Sequence, residues 1–259
     1  MKLTFLGTGT SFGVPQIGCA CAVCRSSDPR DRRSRVGAVV EVDGVRILID
    51  APPELRLQLI ANRISTIDAV LFTHDHADHT HGIDDLRAIS VKRATPLPMY
   101  GPAEVVESLV RKFQYIFDDA IQPLPGTYKP EGVIRALEPS TPVEIGGVTV
   151  TPLEVPHGRI RVFGYRIGPV GYVTDAKVIP DAVIALLAGV QVLVLNALFR
   201  QSHPTHLSFD EAVAVAARIG AEHTYLTHLT HDNAHVDLEA ELPDGVHPAF
   251  DGLQVTVAA

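Results

Sequence analysis

Three histidines and two aspartates crowd six consecutive positions, His74-Asp75-His76-Ala77-Asp78-His79. Imidazole nitrogens and carboxylate oxygens offered together suit Zn²⁺, Mn²⁺ or Fe²⁺. A lone histidine reads as a structural residue satisfied by its neighbours; this density of ligand atoms does not. A second cluster, Gly18-Cys19-Ala20-Cys21-Ala22-Val23-Cys24, holds all three cysteines of the chain. Three thiolates at this spacing can wrap one tetrahedral ion if a fourth ligand arrives from elsewhere. An odd number of cysteines so close together fits a reduced metal site better than a disulfide framework. Free thiols are the plain alternative, and a redox dithiol lacks a thioredoxin-like context.

The elements that position these groups follow a recurring pattern of strand, then loaded loop. An apolar run at 69–73 leads into the histidine segment, 148–155 into His157, 171–174 into Asp175, and 224–227 into His228. Loops leaving strand ends on a rigid scaffold can bring such groups to one edge of a core. Residues 2–6 read as a first strand, and 36–42 and 45–49 flank Asp43-Gly44, a strong hairpin signal. Helical patterns fall at 54–63, 102–117, 180–188 and 208–219. There are more strands than one small sheet needs, which predicts an α/β fold arranged as a four-layer αββα sandwich. At 259 residues the default is one domain spanning 1–259, with a metal loop at 18–25.

Composition narrows the classes. With 46% hydrophobic and 20% charged residues, the chain has ample material for a core. The opening Met1-Lys2-Leu3-Thr4-Phe5-Leu6-Gly7 lacks a signal-peptide pattern, and no apolar run reaches spanning length. A cytoplasmic protein without a membrane partner is expected. The net charge of −8 opposes a polyanionic partner, so nucleic acid is disfavoured. The arginines at 25, 30, 32, 33 and 35 form the one basic stretch and read as a solvated loop.

The HxHxDH spacing resembles the signature of the metallo-β-lactamase superfamily, and the resemblance spans nearly the whole chain. It implies that His74, His76 and His157 bind one metal, that Asp78, His79 and His228 bind a second, and that Asp175 bridges them. Two divalent cations (Zn or Mn, or Fe) lying ~3.5–4 Å apart lower the pKa of a shared water and clamp a phosphoryl oxygen. Asp78 would also orient that nucleophile or take up its proton. The same resemblance implies a structural zinc on Cys19, Cys21, Cys24 and His231.

Within the superfamily, GCxCxxC together with Asp50-Ala51-Pro52-Pro53-Glu54-Leu55-Arg56 is similar to the phosphoribosyl 1,2-cyclic phosphate phosphodiesterases of phosphonate metabolism. This implies a small or cyclic phosphodiester substrate and a homodimer. His206, just before a helical pattern, resembles a histidine that contacts the substrate phosphate and protonates the leaving group. His203 is the weaker alternative. Lys177, two residues after Asp175, either meets an anionic substrate group or is solvated. Asp84 and Asp85 read as acids in the first turn of a helix, and His81, His223 and His247 as structural or solvated. Rival readings are a tRNA 3′-processing nuclease, which needs a basic arm not seen here; a thioesterase, without a cysteine zinc site; and a noncatalytic cofactor-pathway binding protein, lacking the full histidine set.

Overall fold

The structure, a computed structural model, describes residues 1–257. The first sheet holds β1 (Lys2–Gly7), β2 (Gly37–Val42), β3 (Val45–Ile49), β4 (Ala69–Leu71), β5 (Leu97–Gly101) and β6 (Gly132–Ala136). The second holds β7 (Val143–Ile145), β8 (Val148–His157), β9 (Ile160–Ile167), β10 (Val170–Val173), β11 (Val192–Asn196), β12 (His223–Thr227) and β13 (Val246–Pro248). The last strand, β14 (Gln254–Thr256), returns to the first sheet beside β1, giving the orders β14-β1-β2-β3-β4-β5-β6 and β13-β12-β11-β10-β9-β8-β7.

The layering follows from where the apolar side chains go. One cluster, including Phe5, Ile47, Leu71, Tyr165 and Val194, fills the space between the sheets. A second, with Leu55, Phe72, Leu86 and Leu109, lies between the first sheet and the helices Leu55–Ala61 and Ala103–Lys112. A third, with Leu193, Leu195, Ala212 and Val215, lies between the second sheet and the helices Asp181–Leu186 and Phe209–Ile219. Two sheets face to face, each covered outside by helices, form the α/β αββα sandwich. β3–β6 run parallel, as do β10–β13, so the loops at their C-terminal ends collect along one edge.

Local chemistry agrees with this order. Asp43 and Gly44 both take positive φ, 49° and 85°, as a two-residue hairpin turn requires. Ser208 and Glu211 close a capping box at the start of Phe209–Ile219, and Gly220 ends that helix in the left-handed conformation. The helical pattern at 102–117 is broken at Phe113 into Ala103–Lys112 and Gln114–Phe117. Asp84 and Asp85 stand in the first turn of the 3₁₀ helix Ile83–Leu86, as their sequence position suggests. Among the described residues, no helix is long and apolar enough to cross a membrane.

The arginine stretch departs from the solvated-loop expectation. Arg25 and Arg32 are exposed, but Arg33 is 1% exposed. Its Nη1 donates to Thr230 O at 2.6 Å and its Nη2 to Asn233 O at 3.2 Å, while Asp31 pairs with it at 3.3 Å. Asp31 in turn accepts from the His235 backbone amide at 2.7 Å. The rigid guanidinium fork serves two carbonyls of the loop after β12 that no strand neighbour can reach, and a carboxylate balances its charge. Arg33→Met leaves those acceptors buried and unpaired. It should destabilise the fold by about 3–5 kcal/mol, read as a lower urea midpoint, with Arg33→Lys recovering only part of the loss.

Candidate metal centre

The histidine segment begins directly past β4, and three ring nitrogens are set by partners outside the cluster. Thr73 Oγ1 donates to Asp50 Oδ2 at 2.8 Å, which leaves its lone pair to accept from His74 Nδ1 at 2.9 Å. His79 Nδ1 donates to the same Asp50 oxygen at 2.7 Å. His157, ending β8 at the β8–β9 hairpin, donates from Nδ1 to Thr205 O at 3.0 Å. In each ring the Nδ1 contact turns Nε2 towards the cluster, where it can serve as a metal ligand.

These lone pairs converge. The donor atoms of His74, His76 and His157 lie within 4.8 Å of one another, as do those of Asp78, His79 and His228. Asp175, past the end of β10, groups with His74 and His79 and also with His157 and His206. Its Oδ1 is 3.3 Å from His228 Nε2 and its Oδ2 is 3.4 Å from His79 Nε2. The seven residues singled out from sequence therefore meet at one sheet edge, with Asp175 between two triads.

The electrostatics call for cations. Burial pushes His74 well below the ordinary histidine range, lowers His157 and brings His228 to about 4, so these rings are neutral ligands. Burial opposes charge on Asp175, but neighbouring His228 and His79 hold its carboxyl well below the usual range. Against its own burial, His79 is raised to about 10 by the carboxylates of Asp175 and Asp50. His79 Nε2 and both ring nitrogens of His228 are buried without a hydrogen-bond partner. Buried ring nitrogens without partners, beside carboxylates, fit divalent ions that replace the His79 proton, take these nitrogens as ligands and balance the carboxylate charge.

Sequence reasoning gave no role to Asp50. It is fully buried at φ 62°, and it accepts from the Thr73 amide at 2.8 Å besides Thr73 Oγ1 and His79. Its loop packs on the histidine segment, with Ala51 N donating to His79 O and Gly82 N to Ala51 O. A Cβ on Gly82 would meet Pro52 O at 1.9 Å, so only glycine permits that approach. A lone aspartate closing the apolar β3 was the available signal. Lys177 stays partly exposed and is engaged within the chain: its Nζ bonds Glu211 at 2.8 Å and Ser202 Oγ at 2.9 Å, because the capping carboxylate of the neighbouring helix lies within reach.

His206 reaches the centre, with Nε2 2.9 Å from Asp175 Oδ1 and its ring stacked on His228 at 4.7 Å. His203 stands one ring further out, 5.4 Å from His206. Thr205 Oγ1 lies 2.8 Å from His206 Nδ1. At the other cluster, His231 Nδ1 is 3.3, 3.4 and 3.5 Å from the sulfurs of Cys19, Cys21 and Cys24. Those are close to the ~3.5 Å edges of a tetrahedron around zinc with ordinary Zn–S and Zn–N bonds. The Cys24 amide holds the Cys21 thiol down at about 6.

An αββα sandwich carrying a His/Asp cluster on its sheet edge defines a metallo-β-lactamase-fold protein. Residues 45–229 match the beta-lactamase superfamily domain, and the chain belongs to that superfamily. A crystal structure described as a new diphosphatase from the PhnP family is 39% identical, covers 99% of this chain and 98% of its own, and has a TM-score of 0.91. Zinc-bound PqqB from Methylobacterium extorquens shares the fold, with a TM-score of 0.81, 20% identity and coverage of 99% and 100%. An octanoyltransferase of Porphyromonas gingivalis is 38% identical over 99% of this chain. The chain spans 52% of that protein's length, so its transfer activity is not carried over.

The chain is similar to a PhnP-family diphosphatase, and its fold and buried His/Asp cluster fit divalent metal ions. Asp50→Asn puts an amide N–H against a ring N–H or an amide donor. It should weaken metal affinity about 10- to 100-fold, measured by competition with a chromophoric chelator.

Proposed function

We propose that this hydrolase cleaves a small or cyclic phosphodiester, of the class represented by phosphoribosyl 1,2-cyclic phosphate. The observation that carries the reading is His206, whose Nε2 lies 2.9 Å from Asp175 Oδ1 and which groups with His157 and Asp175 while belonging to neither of the two triads assigned to the metals. A phosphoryl centre whose leaving oxygen needs a proton uses such a group. The 39% identical diphosphatase supports a phosphorus centre over a thioester carbonyl. The net charge of −8 supports a small substrate over an RNA.

His74, His76 and His157 would hold one ion in this reading and Asp78, His79 and His228 the other, with Asp175 within reach of both groups. Zinc, manganese or iron bound there supplies an acidified water and charge neutralisation at phosphorus. Asp78 has a 15% exposed side chain, against 3% for Asp175, and orients the attacking water. His206, held through Nδ1 by Thr205, gives its Nε2 proton to the departing oxygen. Cys19, Cys21, Cys24 and His231 keep a separate structural zinc.

His76→Ala should cut metal-dependent hydrolysis of bis(p-nitrophenyl) phosphate by at least about 10²-fold. Turnover equal to that of the unaltered protein would exclude catalysis by this centre. His206→Ala should slow diesters with alkoxide leaving groups by about 10²–10⁴-fold and nitrophenyl esters by far less, since nitrophenolate departs without a proton. Equal losses in steady-state rates on both would remove the proton-donor role.

A further inference from the structure

We propose that the cavity beside His206 is a subsite for a planar, uncharged ring carried by the phosphodiester, with Phe12 as its principal contact; this rests on the phosphodiester reading. The cavity has a volume of about 250 Å³ and is lined by Phe12, Leu198, Phe199, His203, His206 and His228, among others. Through His206 and His228 it borders the candidate metal centre.

Its wall is a row of rings. His228 and His206 stack at 4.7 Å, His206 and His203 lie 5.4 Å apart, and His203 and Phe199 lie 5.6 Å apart. Faces and edges of aromatic rings thus run unbroken from the metal ligands to the surface. Phe12 belongs to the same cavity and is 70% exposed. A singly exposed apolar residue is ordinary on a protein surface, but one at the mouth of a reaction centre is a contact awaiting a ligand. Its loop is pinned in place: Gly9 bridges to Leu229, Leu229 N donates to Thr8 O at 2.8 Å, and Phe12 N donates to Thr10 Oγ1 at 3.3 Å. A contact held this way costs little ordering on binding.

Charge settles what kind of group fits. No lysine or arginine is among the described residues that line this cavity, whereas Asp232 is. The hydroxyls of Thr10, Ser11 and Thr230 and the Gln16 amide offer hydrogen bonds to polar edges of a ring but no fixed positive charge for a second anion. A second cavity of about 350 Å³, bordering His74, is lined by Asp75 and Glu104 as well as Arg159 and Arg161, with Arg161 paired to Glu154. The substrate's ring is thus placed against Phe12, on the side of the centre where no cationic side chain lines the cavity. Aryl and nucleobase-like groups satisfy the ring side by stacking and area burial.

The test compares phenylphosphonate with methylphosphonate as ligands of the metal-loaded protein by isothermal titration calorimetry. The unaltered protein should bind the phenyl compound about tenfold more tightly. Phe12→Ala should reduce that ratio to about twofold or less, Phe199→Leu should reduce it partly, and Phe12→Tyr should restore it. A ratio near one in the unaltered protein, or one unchanged in Phe12→Ala, overturns the subsite while leaving the phosphodiester reading in place. Binding of neither phosphonate, together with no diester turnover, overturns both.

Discussion

The carboxylate of Asp50 governs the metal edge of this fold. It is wholly buried, and burial pushes it towards the neutral form, while His79 and the two Thr73 donors favour the charge. Its influence spreads by proton bookkeeping: the Thr73 hydroxyl has one hydrogen, and once that hydrogen is given to Asp50, the oxygen can only accept from His74. One carboxylate therefore selects the tautomer of two imidazoles in different parts of the cluster. It also ties the end of β3 to the end of β4, since Asp50 N donates to Leu71 O at 2.9 Å. The position of the ligands and the state of their nitrogens have a common cause.

The sandwich supplies the rest by ending strands where ligands are needed. Asp50, Asp175 and His228 take φ of 62°, 57° and 61°, a conformation disfavoured for residues with a Cβ. Each stands just past a strand of a parallel set, where the left-handed turn departs from the ladder and redirects the side chain to the shared edge. Such strain persists only where the surroundings over-determine it. Here the surroundings are hydrogen bonds to Thr73 and His79 at Asp50, and the tight packing of His206 and His228 around Asp175. Buried neutral imidazoles beside buried carboxylates are a costly arrangement by themselves, and a bound cation relieves it.

What was legible in the sequence was what is local or separated by strands. His74, His76, Asp78 and His79 declare themselves by density, and His157, Asp175 and His228 by standing at the ends of apolar runs. The four-layer order was readable from strand number and helical periodicity, although the break at Phe113 was not. Asp50 and Arg33 were illegible in role because each looks ordinary alone. Asp50 finds His79 29 positions away, and Arg33 finds Thr230 197 positions away. A basic run favours solvent unless distant carbonyls need a guanidinium, and nothing nearby in sequence announces those carbonyls. Lys177 was misjudged for the same reason, its partner Glu211 being 34 residues on. His206, the histidine preferred by resemblance, stands against Asp175 and His203 one ring further out, a difference that spacing along the chain does not carry.

The segment from Thr8 to Val36 illustrates how a long connection becomes part of a rigid site. Beyond the 3₁₀ turn Pro29–Asp31 it has little regular structure, yet it presents the cysteines, Phe12 and Arg33. Free, such a loop would be costly to order. It is bound instead at three points along the chain that follows β12: the Gly9–Leu229 bridge, the cysteine sulfurs around His231, and Arg33 on Thr230 and Asn233. All three fasten onto residues 229–233, which directly succeed His228, one of the residues grouped at the candidate metal centre. Motion of the loop and motion of that ligand are thereby coupled, and holding the one restrains the other. The cysteine cluster thus serves the reaction centre from outside it, by fixing the stretch of backbone from which His228 reaches its neighbours.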